Sequence, residues 1–151
     1  MSSIRAAIDS SVLVGLLNPR DTWHRRAQTL RNAIEHTDVE LVYFDCVIAE
    51  TISVVARRLE EQSRSSEFTL LLDRLRDQVP ATTITWILPD VPRLYDAVLD
   101  LMYTSAGALN FNDALIALAC RERGIAAIVS FDPDFDTLAW LQRFSQPQDM
   151  P

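Results

Sequence analysis

Four carboxylates, Asp9, Glu50, Asp113 and Asp132, have the type and placement to build a centre for divalent cations. Hard carboxylate oxygens suit Mg²⁺ or Mn²⁺, with waters and a substrate phosphate completing an octahedron. Crowded without cations, such groups repel and shift one another's pKa. Each also has a purely structural alternative. Asp9 ends an apolar run and precedes Ser10 and Ser11, so it is a metal ligand or a helix cap that contributes about 1 kcal/mol. Glu50 lies opposite the Ile48, Ile52, Val55 and Leu59 stripe of its helix, which reads as a solvated face. Val47 and Val54, about a turn to either side, keep that face from being wholly polar. Asp113 opens a helix after Asn110, Phe111 and Asn112, where the helix dipole alone favours an acid by about 0.3–1 kcal/mol. Asp132 stands before Pro133, the pattern of an N-cap followed by a proline in the first helical position. Asp134 and Asp136 leave open which of the three carboxylates points inward.

The elements that must position these acids follow from periodicity. Residues 4–8 form a short buried strand, and Ser10 or Ser11 caps a helix over 12–17 that Asn18 and Pro19 stop. Asp21 and Thr22 open a longer helix to His36, with Trp23, Ala27, Leu30 and Ile34 at helical spacing. Residues 41–44 are a second strand. Residues 45–59 are rich in β-branched side chains, but their period is helical. A helix over 66–79 presents Phe68, Leu71, Leu72 and Leu75; a strand over 82–88 and a helix over 91–106 follow, with Gly107 at its end. The helix over 113–123 finishes with Arg121, Arg123 and Gly124, the usual C-terminal chemistry. A strand over 126–130, a turn and a last short strand within 138–144 complete the chain. Strands alternating with helices predict one three-layer α/β/α domain over 1–145, with a central, mostly parallel sheet of four to five strands. Residues 146–151 read as a frayed tail. In such sheets ligands gather beyond the carboxyl ends of the strands, where three of the four acids fall.

Composition narrows the chemistry further. The 151 residues, 48% hydrophobic and 23% charged, fit one ordinary globular domain. All 14 basic residues are arginines, which excludes a P-loop, whose lysine reaches the phosphates. The same absence removes the lysine of receiver domains and of haloacid-dehalogenase-like phosphatases. Cys46 and Cys120 lack metal-site spacing and read as reduced packing residues. His24 and His36 lie too far apart on one predicted helix to share a metal and read as surface residues. Arg5 and Asp9 interrupt the only apolar N-terminal stretch, and no run reaches the length of a membrane helix, so the cytoplasm is the expected location. A net charge of −7 is unusual for a nucleic-acid binder, unless bound cations and local arginine clusters offset it.

The segments IRAAIDSSVLVGLLNP, FDCVIAETISVV, LNFNDALIALACRERG and AAIVSFDPDFD resemble, in order and spacing, the four acidic motifs of PIN-domain nucleases. DTWHRRAQ resembles the helix that follows the first motif, and together the segments span residues 4–136. The resemblance implies that Asp9, Glu50, Asp113 and Asp132 hold one or two Mg²⁺ or Mn²⁺ ions. Ser130 corresponds to a small hydroxyl residue near the fourth acid, and Asn112 supports the third. For Glu50 the resemblance outweighs the helical wheel. It implies an endoribonuclease whose in-line attack at phosphorus leaves a 5′-phosphate and a 3′-hydroxyl. The RNA would be positioned by arginines, Arg57 first, then Arg20 and Arg25, with Arg26 and Arg58 as further candidates. The small size is most similar to the toxins of bacterial VapBC toxin–antitoxin pairs, which implies an antitoxin partner and a homodimer. A PIN nuclease of RNA processing, a catalytically silent PIN-like binding module, and an α/β domain whose acids are only caps are the competing readings.

Overall fold

The structure, a computed structural model, describes residues 3–151. Five strands form one sheet in the order β3-β2-β1-β4-β5, and every neighbouring pair is parallel. β1 (Arg5–Ile8) is the central strand, buried from Ala6 onward; it pairs with β2 (Glu40–Phe44) on one side and β4 (Ala127–Val129) on the other. Parallel strands covered on both faces read as continuous apolar runs rather than alternating ones, as AAI and AIV do here. Helices α1 (Ser10–Leu17), α2 (His24–Glu35), α3 (Asp45–Glu61) and α4 (Phe68–Gln78) lie between β1 and β3 (Ile84–Thr85). Helices α5 (Val91–Thr104) and α6 (Phe111–Glu122) carry the chain back to β4, and β5 (Gln142–Phe144) follows. α1 packs on α2, α3 and α4, whereas α5 packs on α6, so the two groups cover opposite faces, as right-handed crossovers in opposite directions require. No helix among the described residues is long and apolar enough to cross a membrane.

The expected elements are present, with informative differences. α1 starts at Ser10, and its cap is Asp9 rather than either serine. α2 starts three residues late, at His24, because Asp21 spends its carboxylate on a turn, accepting from the Trp23 amide at 3.0 Å. His24 is not a free surface residue: its Nδ1–H donates to the Gly15 carbonyl at 2.7 Å. Gly15 itself permits this close approach, since a Cβ there would lie 3.0 Å from the Ala27 Cβ. Residues 147–149 form a 3₁₀ turn, and the Asp149 carboxylate accepts from the Ser145 and Gln146 amides at 2.8 and 3.1 Å.

The strand expected over 82–88 shrinks to two residues, and the cause is a buried carboxylate. Asp45, 5% exposed, accepts from the amides of Cys46, Ile87 and Leu88 at 3.0, 3.0 and 2.9 Å. The amides of Ile87 and Leu88 are therefore taken out of the ladder and turned towards the start of α3. Removing the carboxylate leaves buried donors unsatisfied, which costs more than the net value of the bonds. Asp45→Ala should lower stability by about 2–4 kcal/mol, read as a fall in the urea midpoint at pH 7. An unchanged midpoint would show that the two amides find other partners.

Candidate functional site

The crossovers leave β1 in opposite directions, first towards β2 and later towards β4. The switch point, where such sheets open a crevice, is therefore at the carboxyl ends of β1 and β4. Asp9 follows β1 directly and is 5% exposed. Its carboxylate receives three donors: the Ser10 amide at 2.8 Å, the Ser11 hydroxyl at 3.1 Å and the Ser130 hydroxyl at 2.6 Å. Ser130, fully buried after β4, also accepts from the Asp132 amide at 3.0 Å. Ser11 likewise accepts from the Phe131 amide at 3.1 Å, so two serines tie the β1 end to the loop that carries Asp132. Asp9 is thus the cap of α1 and at the same time stands at the switch point, so capping does not remove it from the candidate site.

Glu50 is half-buried on α3, not solvated. The helix turns Val47, Thr51, Val55 and Leu59 to the core, while Ile48 and Ile52 are only half-buried. An apolar stripe misplaces the inner face because Thr51, 0% exposed, is part of it; its hydroxyl is satisfied by the Val47 carbonyl at 2.7 Å. Rolling the helix by that amount brings Glu50 towards Asp9. Its Oε2 is buried without any hydrogen-bond partner.

Asp113 is 7% exposed and forms a capping box with Asn110: its amide donates to Asn110 Oδ1 at 2.9 Å and its Oδ2 accepts from the Asn110 amide at 3.1 Å. The cap is Asn110, three residues before the acid, and Asn112 is half-buried in the first turn. Asp132 caps the 3₁₀ turn Pro133–Thr137, accepting from the Asp134 amide at 2.9 Å. Of the three acids in this turn, Asp136 is excluded from the site by a two-pronged ion pair with Arg143, at 2.9 and 3.0 Å, that holds its carboxyl below the usual range. Asp132 is the one whose charge reaches Asp9 and Asp113.

A family model for the PIN domain matches residues 6–141, nearly the whole chain. The chain belongs to the PIN-domain family. Among curated proteins, nothing matches. Among solved structures, the crystal structure of Mycobacterium tuberculosis VapC20, described as a sarcin–ricin loop cleaving toxin, is similar with a TM-score of 0.66. It is 19% identical, over 89% of this chain and 95% of that one, and supports the PIN fold.

In this PIN domain the acids are electrostatic neighbours. Burial, and then the charge of Asp9, raises the pKa of Glu50, against the Ser10 hydroxyl. Burial raises that of Asp9 too, the Asp132 charge adding to it, although three donors oppose the shift. Asp113 is pushed up to about 7, by burial first and then by the charges of Asp9, Asp132 and Glu50. Yet among the described residues no three acidic, histidine or cysteine side chains are drawn together as a closed ligand set. Serines, Asn110 and backbone amides hold Asp9, Asp113 and Asp132 at separate stations, whereas Glu50 Oε2 has no partner.

The arginines divide. Arg58 is tied to Asp21 in an ion pair that joins the turn before α2 to α3, which removes it from the set of free cations. Arg57 is exposed and loosely paired with Glu61 at 3.9 Å. Arg20 lies near Arg64 and Arg74 beside Glu67, at the far end of α1 from Asp9. Arg25 and Arg26 are on α2, with Arg26 lying over the Trp23 and Phe131 rings at 4.9 and 4.3 Å. Sequence reasoning missed Ser11, Asn110 and Phe131. Ser11 and Asn110 were visible as cap-forming types at the right offsets, whereas Phe131 carried no signal.

Asp113 gives a test of the crowding. A carboxyl whose folded pKa is raised above the usual 3.8 favours the folded state only while protonated. That stability is fully present below 3.8 and is lost as pH rises through about 7. In EDTA, Asp113→Asn should therefore be more stable than the parent at pH 8, by about 2 kcal/mol, with the gain vanishing near pH 4. Equal urea midpoints at pH 8 would mean that the acids do not oppose one another.

Proposed function

We propose that this PIN domain is a divalent-metal-dependent endoribonuclease, the toxin of a VapBC-type toxin–antitoxin pair. The observation that carries the reading is the buried oxygen of Glu50, Oε2, which has no partner and lies on an acid that the charge of Asp9 reaches. Buried unpartnered carboxylate oxygen is costly in a chain alone and suits a cation. The raised pKa of Asp113 supports the same fit. Mg²⁺ or Mn²⁺ held by Asp9, Glu50, Asp113 and Asp132 would neutralise these acids and the phosphodiester, and would make water nucleophilic near neutral pH.

The chain's own residues do the positioning. Ser130 and Ser11 both donate to Oδ2 of Asp9, the Ser10 amide donates to Oδ1, and Asn110 fixes Asp113 through the capping box. Ser130 sets the loop geometry of Asp132 through its amide. Neither histidine bonds to the acids: His24 donates from Nδ1 to Gly15 O and His36 to Asn32 O, both within or beside α2. RNA is held by arginines outside the acid cluster, with Arg57, Arg20 and Arg25 as candidates and Arg25 nearest to the Phe131 loop through its neighbour Arg26. The partners of this reading are RNA, an antitoxin and a second copy of the chain in the cytoplasm. Exposed Leu70 on α4 and exposed Tyr95, Leu99 and Tyr103, a turn apart on α5, support protein-binding helix faces.

Cleavage of a mixed set of structured RNAs with Mg²⁺ or Mn²⁺ tests the assignment. Chelation should abolish it, and Asp9→Asn should slow it about a thousandfold or more with little loss of stability. Asp136→Asn, at an acid committed to Arg143, should cleave at the parental rate. Full activity in Asp9→Asn, or cleavage indifferent to chelator, would sink the metal-centre reading.

A further inference from the structure

The sequence DTWHRRAQ places an aromatic and two arginines on the first turn of α2, and the fold gives them a role that the acid cluster does not. Trp23 stacks on Phe131 with ring centroids 5.3 Å apart and planes 24° from parallel. The Arg26 guanidinium covers both rings and donates to the Ser145 carbonyl at 3.5 Å. Phe131 lies in the chain between Ser130 and Asp132, and its amide is held by Ser11, itself bonded to Asp9. The stack is therefore fastened directly to the acid site. Trp23 is nevertheless 41% exposed, unusual for a large aromatic side chain with a neighbour to pack on. It faces a cavity of about 450 Å³ with Arg25, Arg26, Thr29, Ser145 and Pro147. No acid lines this cavity, in a chain whose net charge is −7.

We propose that this cavity is a nucleobase subsite for single-stranded RNA: a base beside the scissile phosphate stacks on Trp23, and Arg25 and Arg26 take the adjoining phosphate. An aromatic face flanked by arginines is the arrangement that binds unpaired bases with little sequence preference, since every base offers a π-face. The cavity has room for a base, and its cations are the counterpart of the phosphate that a repelling acid cluster cannot attract alone. Phe131 keeps the platform in register with Asp132, and the folded tail at Ser145 closes its far side. The subsite rests on the proposed ribonuclease reading.

Binding is read apart from cleavage, by fluorescence anisotropy in EDTA, with a labelled unstructured RNA 12-mer and the same strand carrying abasic positions. The parent should bind the abasic strand about tenfold more weakly than the intact one. Trp23→Ala should lose about tenfold on the intact strand and nothing on the abasic strand, and Trp23→Phe should restore most of the affinity. Thermal melts of both variants would confirm that they are folded. Equal binding of intact and abasic strands, or undiminished binding by a folded Trp23→Ala, overturns the subsite; metal-dependent cleavage by the same protein would then leave the ribonuclease reading standing. Absence of both RNA binding and metal-dependent cleavage overturns both.

Discussion

The molecule is organised around like charges held close to one another inside a protein edge. Buried carboxylates that repel each other would ordinarily part or take up protons. Here buried Asp9 is held by Ser130 after β4 and buried Asp113 by the Asn110 amide before α6, while half-buried Asp132 is held by the Asp134 amide. The Ser130 hydroxyl is the joint among them, since it donates to Asp9 at 2.6 Å and accepts from the Asp132 amide. A parallel sheet with a central strand only four residues long can support this because its strands end at the same level. The acids then sit within range of one another without needing long side chains to reach.

The division of labour follows from that constraint. α1 and α6 begin at the site, so their N-terminal dipoles face the negative charge and offset part of it. α3 contributes Glu50 from one turn inside the helix, the one acid not served by a cap, and its buried Oε2 is unpartnered. The positive charge of the chain stands outside this cluster. Arg143 is committed to Asp136 and Arg58 to Asp21, while Arg25 and Arg26 are placed beside the Trp23 and Phe131 rings. Acid at the centre and arginine around it keep the two signs of charge apart in an overall negative protein.

Much of this was legible in the order of residues. Apolar runs of strand length alternating with helical stripes predict the layered fold, and the placement of Asp9 and Asp132 after strands follows from the sheet rule. What escaped did so for identifiable reasons. The roll of α3 depends on Thr51, which a hydrophobicity pattern counts as polar although its hydroxyl is satisfied within the helix. The shortening of β3 depends on Asp45 capturing amides some forty residues away, a tertiary event with no local signature. The 3₁₀ turn at 147–149 is held because Asp149 collects three donors from the two residues that precede it. Each is a polar group satisfied at a distance or against expectation, and binary patterning is blind to that class of interaction.

The Asp45 clamp also governs what the sheet can become. A sheet edge with a long row of free amides and carbonyls invites another chain to add a strand. With two residues left in β3 and three in β5, both margins of this sheet are too short to serve as templates, and Arg143 places a charge on the β5 side. Extension by strand addition is thereby discouraged at both ends. Whatever binds this protein must meet side chains presented by helices and loops, so recognition is written in surface chemistry rather than in shared backbone ladders.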